Sequence, residues 1–249
     1  MIDLTGKTAI VTGASRGIGQ AAAYAFAEAG ANVVLASRSA GAISETAADI
    51  GEKARAITCD VSSEADVQNL ISQTVDAFGR LDILVNNAGV IDPIGPIDGV
   101  DSAEWGQLID INVKGVFYGM KAALPHMKAV GGGTIISIGS GAARSALEGW
   151  SAYCASKAAV HHLHAVLHVE EAANGIRSLV NSPGTVATNM QKQIKASGVN
   201  KVSEIPWESH VPPEWIAKTL VWMCGPDADD YLGDVVALRG DDLRATIGV

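Results

Sequence analysis

Short apolar runs alternate with helical patterns along the whole chain, and this alternation constrains the fold more than any other feature. Apolar runs typical of buried strands occupy residues 7–12, 32–37, 55–59, 81–85, 134–138, 175–180 and 234–238. Helical patterns occupy residues 17–29, 40–50, 64–78, about 102–128, 151–173 and 213–224. Apolar strands that alternate with helices predict a parallel sheet buried on both faces. We therefore expect one doubly wound α/β domain over residues 1–249.

Local signals set the ends of several helices. Gly30 and Gly79 follow the first and third helical patterns, where a C-terminal cap is expected. Asp101 and Glu104 are typical of a helix N-terminus. Pro125 is expected to kink or shorten the helix that they begin.

Composition and charge argue against several classes of function. The chain has a formal net charge of −9, and no cluster of Lys and Arg offers a face for nucleic-acid phosphates. No segment is typical of a membrane span, and the N-terminus lacks the pattern of a signal peptide. Cys59, Cys154 and Cys224 are widely spaced, which favours neither disulfides nor a zinc ribbon and fits a reduced, cytoplasmic setting.

A glycine-rich turn follows the first strand and opens the first helix. The motif TGASRGIG occupies residues 12–19, in a G-x-x-x-G-x-G spacing that differs from the general G-x-G-x-x-G fingerprint. Such glycines let a pyrophosphate approach the backbone, and the helix N-terminus can hold the anion. A purely structural turn is the alternative, but the position between strand and helix favours a dinucleotide.

The end of the second strand indicates which dinucleotide binds. An acidic side chain there would bind the ribose 2′-hydroxyl of NAD, whereas this chain has Ser37 and Arg38, with Arg16 in the glycine turn. Two guanidinium groups and a hydroxyl suit a 2′-phosphate, so we predict NADP(H). In the alternative interpretation Arg38 is a solvated loop residue. Asp60 and Val61 follow the third strand and are expected to flank the adenine.

Tyr153 and Lys157 are four residues apart in a predicted helix and therefore share a face. A free phenol has a pKa of about 10, and a nearby ammonium is expected to lower that pKa. A tyrosine tuned in this way can protonate a carbonyl oxygen or deprotonate an alcohol, and Ser140 could hydrogen-bond the same oxygen. A surface pair without function is the alternative for Tyr-x-x-x-Lys taken alone.

Together these residues resemble the short-chain dehydrogenase/reductase family, and the likeness extends to about Leu238. It rests on TGASRGIG at 12–19, NNAG at 86–89, Asn112, Ser140, Tyr153-x-x-x-Lys157 and Pro183-Gly184. The resemblance implies a Rossmann-type domain with a seven-stranded parallel sheet. It also implies hydride transfer with a nicotinamide cofactor, and a homotetramer or homodimer.

The resemblance implies a role for each matching residue. Tyr153 would be the general acid–base residue and Ser140 would orient the substrate oxygen. Lys157 would bind the nicotinamide ribose and lower the pKa of Tyr153, while Asn112 would hold a water linked to Lys157. The whole implied cofactor site, in which Val186 and Thr188 grip the carboxamide, consists of Gly13, Ser15, Arg16, Gly17, Ile18, Gly19, Ser37, Arg38, Asp60, Val61, Asn87, Ala88, Gly89, Tyr153, Lys157, Pro183, Gly184, Val186 and Thr188.

Two stretches depart from the usual family pattern. Arg177-Ser-Leu179 replaces the frequent Arg-Val-Asn, which we interpret as a packing variation. The C-terminal stretch 233–242 lacks the common Asp-Gly-Gly turn, which leaves contacts of that end open.

The helix after Lys157 carries four histidines, His161, His162, His164 and His168. Their spacing could bind zinc, but neither an H-E-x-x-H motif nor a nearby acidic third ligand is present, so no metal is predicted. We expect these histidines to lie on a helix that packs against another subunit, and protonation could instead weaken an interface at low pH.

Three loops are expected to select the substrate: 90–100, 141–150 and the lid 187–212. Their candidate wall residues are mainly apolar and favour a hydrophobic ketone or secondary alcohol: Ala142, Leu147, Trp150, Met190, Ile194 and Trp207. Alternatively, Trp150 and Trp207 only pack the lid against the body. Arg144 could meet an anionic substrate or remain solvated.

Three hypotheses for function follow. The leading one is an NADP(H)-dependent carbonyl reductase or secondary-alcohol dehydrogenase that acts on a small molecule. The nearest alternative is a 3-oxoacyl-[acyl-carrier-protein] reductase, against which the net charge of −9 argues mildly, because the carrier is acidic. A nucleotide-sensing protein without turnover is disfavoured, because Ser140, Tyr153 and Lys157 are all present.

Overall fold

Seven parallel strands form the centre of the computed structural model, which describes residues 2–238 and 241–249. The strands are β1 (Thr8–Thr12), β2 (Asn32–Ser37), β3 (Ala54–Thr58), β4 (Ile83–Asn86), β5 (Gly133–Ile138), β6 (Ile176–Ser182) and β7 (Val235–Ala237). Their order in the sheet is β3-β2-β1-β4-β5-β6-β7. The predicted doubly wound, Rossmann-type fold with seven parallel strands is confirmed.

Helices cover both faces of the sheet. They are α1 (Gly17–Glu28), α2 (Ala40–Ile50), α3 (Glu64–Phe78), α4 (Ser102–Ile109), α5 (Gly115–Ala129), α6 (Ser151–Glu171), α7 (Asn189–Ser197), α8 (Pro213–Trp222) and α9 (Asp241–Ile247). One apolar core lies between the sheet and α1, α2 and α8, and the other lies beneath α3, α5 and α6. In the described part of the chain, no helix combines the length and apolar character needed to cross a membrane.

The strands are apolar without alternation because both of their faces are buried. Val11 of β1 packs into the core that contains Phe26 of α1, whereas its neighbour Ile10 packs into the core that contains Leu70 of α3. All four side chains are 0–1% exposed. Burial of one such side chain stabilises the fold by roughly 1.5–3 kcal/mol.

The order of the strands creates the crevice in which the site lies. The chain runs outward from β1 through β2 to β3, and then returns to place β4 on the other side of β1. The segments that leave β1 and β4 therefore diverge at their carboxyl ends, and ligands bind at such a point in open α/β sheets.

The long helix predicted over 102–128 is interrupted, but not where the sequence suggested. Pro125 lies inside α5, which continues to Ala129, so the expectation that this proline shortens the helix is wrong. The interruption is a π-helical turn, Asp110–Lys114, between α4 and α5. Asp101 does begin the helix, since its carboxylate accepts hydrogen bonds from the Ala103 and Glu104 amides.

Two helices were not predicted. α7 lies within the segment 187–212 that was expected to be a loop, and its sequence is mainly polar, with Gln191 and Ile194 buried. α9 lies near the C-terminus and contacts α8. In the C-terminal stretch that departs from the family pattern, Arg239 and Gly240 lie outside the described residues.

Asp82 joins the start of β1 to the segment before β4 at the amino-terminal edge of the sheet. Its buried carboxylate accepts hydrogen bonds from the Thr8 amide at 3.0 Å, from Arg80 at 2.6 and 2.7 Å, and from Lys7 at 3.2 Å. Burial raises the pKa of this carboxyl, but the hydrogen bonds from Arg80, Thr8 and Lys7 outweigh burial and hold the pKa below its ordinary value.

We expect Asp82→Ala to lower the free energy of unfolding by about 2 kcal/mol at pH 7, because it leaves a buried amide without its acceptor. Since the folded-state pKa is depressed, this contribution is complete above the unfolded pKa of about 4 and is lost as pH falls through the folded pKa. Urea denaturation of wild type and variant at pH 7 and below pH 4 measures the difference.

Asp76→Ala is the matched control, because Asp76 is exposed on α3. It should change the free energy of unfolding by less than about 0.5 kcal/mol. Equal losses for the two variants, or a loss for Asp82→Ala that persists unchanged in acid, would contradict the account.

Candidate active site

A cavity of about 700 Å³ opens at the carboxyl ends of the strands. This volume lies within the range of roughly 300–1,000 Å³ that is usual for small-molecule sites. Every residue of the implied cofactor site lines it except Gly19, and so do Ser140 and the six candidate wall residues. The fold thus brings residues from all parts of the chain to one cavity.

The glycine turn between β1 and α1 is shaped by its lack of side chains. Gly13 and Gly17 have φ angles of +64° and +57°, which disfavour other residues. A Cβ on Gly19 would collide with the carbonyl oxygen of Gly13 and the side chain of Asn87. Asn87, which follows β4, also donates a hydrogen bond to the carbonyl of Thr12 at 2.8 Å and so holds the turn.

The ends of β2 and β3 form the rim of the cavity. Ser37 is buried, and its hydroxyl accepts a hydrogen bond from the Ser39 amide at 3.0 Å, whereas Arg38 is exposed. Asp60 is held by Ser62. Burial raises the pKa of Asp60, but the hydrogen bonds from Ser62 and the charge of Arg38 outweigh it and leave the pKa below its ordinary value. The Arg38 guanidinium therefore lies near the rim.

Tyr153 enters the cavity from α6 and meets Ser140, which follows β5. The phenol is buried, and burial raises its pKa to about 12, while a side-chain hydrogen bond with Ser140 opposes this rise. The Ser140 hydroxyl also accepts a hydrogen bond from the Ala142 amide at 3.1 Å, which fixes its direction. Both hydroxyl groups therefore lie at the same part of the cavity, where they can reach one substrate oxygen.

Lys157 lies one turn after Tyr153 and is also buried. Its Nζ donates a hydrogen bond to the carbonyl of Ile138 at 2.7 Å and lies 5.5 Å from the centre of the Tyr153 ring. Burial lowers its pKa to about 8. Burial of the phenol dominates at Tyr153 and leaves its pKa above the ordinary value, and the expected lowering of that pKa by Lys157 stays a prediction.

Asn112 lies in the π-helical turn behind the cavity wall and does not line the cavity. Its amide group pairs with the backbone of Val90, accepting from the nitrogen at 2.9 Å and donating to the oxygen at 2.8 Å. It also donates to Ser156 on α6 at 3.2 Å. Asn112 thus ties α6 to the segment after β4, and its predicted role in holding a water stays a prediction.

The histidines of α6 do not form one outward face. His162 is exposed, but His164 is 0% exposed and bonded within its own subunit, so His164 is not itself a subunit contact, and packing of the helix against another subunit stays a prediction. His161 is partly buried and lies next to Ser140. Among residues 2–238 and 241–249, no group of three or more His, Cys, Asp or Glu side chains is arranged to hold a metal ion.

The substrate end of the cavity is apolar. Ala142, Trp150 and Ile194 are buried together with Tyr153, and Leu147 and Met190 pack against them. The Trp150 ring meets the Tyr153 ring edge-on, at 5.6 Å between centroids and 81°. Trp150 therefore supports the tyrosine as well as the lid. Arg144 does not line the cavity, and it forms an exposed ion pair with Asp234, which argues against its suggested role in binding substrate.

Several cavity residues were not predicted, because no local pattern marks them: Ser39, Asp92, Ser145, Lys192, Gln193 and Lys201. Gln193 of α7 donates a hydrogen bond to Asp92 at 2.9 Å. This bond joins the lid to the loop 90–100 across the cavity mouth. All of these residues except Ser39 lie within the three loops that were predicted to select the substrate, but none was predicted individually.

Known proteins are similar to this chain in sequence. The sequence model of a family described as short chain dehydrogenase matches residues 7–198. A short chain dehydrogenase/reductase of Aspergillus oryzae is 36% identical over 245 residues, covering 94% of each chain. Glucose 1-dehydrogenase 2 of Bacillus subtilis is 34% identical over 245 residues, covering 96% of this chain and 95% of its own.

A solved structure shows the same fold at similar identity. The crystal structure of 3-ketoacyl-(acyl-carrier-protein) reductase from Brucella melitensis, complexed with NADH, superimposes with a TM-score of 0.86. The two sequences are 30% identical, and the likeness covers 95% of this chain and 98% of the other.

Proposed function

The chain belongs to the short-chain dehydrogenase/reductase family, and on this basis we propose that it transfers a hydride between NADP(H) and a ketone or secondary alcohol. Membership of the family makes the protein an oxidoreductase that uses a nicotinamide cofactor. The observation that carries the finer proposal is that the buried Tyr153 and the partly buried Ser140 line one cavity with the glycine turn.

The residues present fit a dinucleotide. The turn at Gly13 and Gly17 opens onto the N-terminus of α1, where Arg16 makes no side-chain cap to the first-turn amides. These amides can hold a pyrophosphate. The chemistry that a nicotinamide supplies when bound is transfer of a hydride to or from the substrate carbon.

The chain itself supplies the proton and the orientation. Ser140 and Tyr153 hold the substrate oxygen between their hydroxyl groups, and Tyr153 donates its proton to that oxygen during reduction. Lys157 stabilises the phenolate that remains, because an ammonium close to a phenolate favours the charged form. The apolar wall formed by Trp150 and Ile194 excludes water from the reacting atoms and strengthens these interactions.

The preference for NADP(H) rests on the rim of the cavity. Arg38 is exposed beside Ser37, and Arg16 lies at the start of α1. Two guanidinium groups suit a 2′-phosphate, and no acidic residue stands at the end of β2 to bind a 2′-hydroxyl instead. The relative from Brucella melitensis was crystallised with NADH, so the residues of this rim are the argument for NADP(H) here.

A 3-oxoacyl-[acyl-carrier-protein] reductase is the second candidate function. The Brucella melitensis relative is named a 3-ketoacyl-(acyl-carrier-protein) reductase. Lys192 and Lys201 line the cavity from the lid and are exposed, so basic residues do occur at the mouth, where an acidic carrier would dock. The small apolar pocket favours a simple ketone, and the carrier-bound substrate is the alternative.

We also propose a homotetramer or homodimer in the cytoplasm. Val166 and Val169 of α6 are 40% and 85% exposed, and Phe117 of α5 is 46% exposed. Large apolar side chains in this position suit a subunit contact. The free cysteines, Cys59, Cys154 and Cys224, suit a reducing compartment.

Tyr153→Phe tests the proton transfer. We expect turnover of a ketone to fall by about 10²–10⁴-fold, because the proton donor is lost. The dissociation constant for NADPH should stay within about threefold, since the ring keeps its packing. Stopped-flow turnover and NADPH fluorescence titration measure the two quantities.

Tyr118→Phe, the same change on α5 away from the cavity, is the control and should retain wild-type turnover. Tyr153→Phe with more than a tenth of wild-type turnover would refute the proposed acid–base role.

Arg38→Ala tests the cofactor preference. Charge-assisted hydrogen bonds contribute roughly 1.5–3 kcal/mol, so we expect kcat/KM for NADPH to fall by about 10–100-fold. The value for NADH should stay nearly unchanged, because NADH has no 2′-phosphate. Arg55→Ala, on β3 and away from the cavity, should leave both values unchanged. A wild type that uses NADH as efficiently as NADPH would contradict the preference.

A further inference from the structure

The proposed reaction requires two elements to be aligned. Tyr153 is carried by α6, whereas Ser140 follows directly after β5. Both hydroxyl groups must reach one substrate oxygen, so a shift of α6 along the sheet by a fraction of an ångström would separate them. A misplacement of about 1 Å can reduce turnover by about 10²-fold.

Three side chains on one face of α6 bind the end of β5. They occupy positions i, i+4 and i+7, which share a helix face. Lys157 donates to the Ile138 carbonyl at 2.7 Å, and His161 accepts from the Ser140 amide at 3.5 Å. The third is His164, whose Nε2 lies 2.7 Å from the hydroxyl of Ser137.

His164 is the one of these three side chains that also binds a second strand of the sheet. It is 0% exposed, and its Nδ1 lies 2.8 Å from the hydroxyl of Ser178 on β6. The Ser178 hydroxyl donates its one proton to the His164 carbonyl at 2.9 Å, so it must accept from Nδ1. Nε2 is then the acceptor, and Ser137 donates to it. Every polar atom of the ring is satisfied by the sheet.

The ring remains neutral in this position. Burial, with a smaller contribution from His161, lowers the pKa of His164 to about 3. A neutral ring with one donor and one acceptor matches the two serine hydroxyl groups without leaving a buried charge.

We propose that His164 is a positioning residue for the reaction, which sets the place of Tyr153 relative to Ser140 through its hydrogen bond to Ser137. This rests on the proposed function, because the alignment matters only if Tyr153 and Ser140 act on one oxygen. It gives the buried histidine of α6 a purpose that neither a metal site nor a subunit contact supplies.

The two serines provide a matched test. Ser137 and Ser178 are both 0% exposed and both bind His164, but only Ser137 lies on the strand that leads to Ser140. After Ser178→Ala the ring can change tautomer and donate to Ser137, so the link to β5 survives. After Ser137→Ala that link is lost.

We expect Ser137→Ala to lower kcat by about 5–20-fold, with KM for NADPH and ketone within about twofold. Ser178→Ala should lower the melting temperature by a similar amount to Ser137→Ala but keep kcat within about twofold. His164→Asn combined with Ser137→Ala should lose no more kcat than the more impaired single variant, because both changes break one contact.

Equal kcat for the two serine variants, whether high or low, would overturn the proposal, as would a loss confined to KM. If wild type turns over no carbonyl compound, the proposed function fails instead. In that case, crystal structures of the two serine variants test whether His164 aligns Tyr153 with Ser140. The oxygens of Tyr153 and Ser140 must be further apart in Ser137→Ala than in Ser178→Ala, and an equal separation overturns it.

Discussion

The site depends on the packing of α6 against the end of β5. Lys157 donates a hydrogen bond to the carbonyl of Ile138, the last residue of that strand, from a fully buried position. A buried ammonium is costly unless it has partners, so this bond fixes where α6 can lie. Tyr153, one turn earlier, then meets Ser140 two residues after the strand. Another side of α6 is held by Asn112, which donates a hydrogen bond to Ser156 of that helix.

Burial also determines the electrostatics of the site. It raises the pKa of Tyr153 to about 12 and lowers that of Lys157 to about 8, because both charged forms lose water. A phenol with a high pKa keeps its proton until a substrate oxygen accepts it. In the proposed reaction, the phenolate left after proton transfer and the nearby ammonium would stabilise one another at low dielectric. The same apolar wall that excludes water therefore makes the pair effective.

The sequence predicted the sheet, most helix ends and the cavity lining, because these follow from local patterns: apolar strands, the glycine turn and the spacing of Tyr153 and Lys157. It did not predict features that depend on contacts between distant segments. The π-helical turn exists where Asn112 pairs with Val90, and His164 turns inward because Ser137 and Ser178 lie opposite. The polar helix α7 carries no pattern that distinguishes it from a loop.

Consumption of NADPH and NADH, measured in parallel against aryl ketones, aliphatic ketones, diketones and a 3-oxoacyl thioester, tests the central claim most directly. The account predicts turnover of simple ketones with NADPH, with kcat/KM at least about tenfold above that with NADH. Turnover of the thioester alone would assign the protein to the carrier-bound substrate. Equal use of the two cofactors, or no turnover of any carbonyl compound with either, would contradict the account.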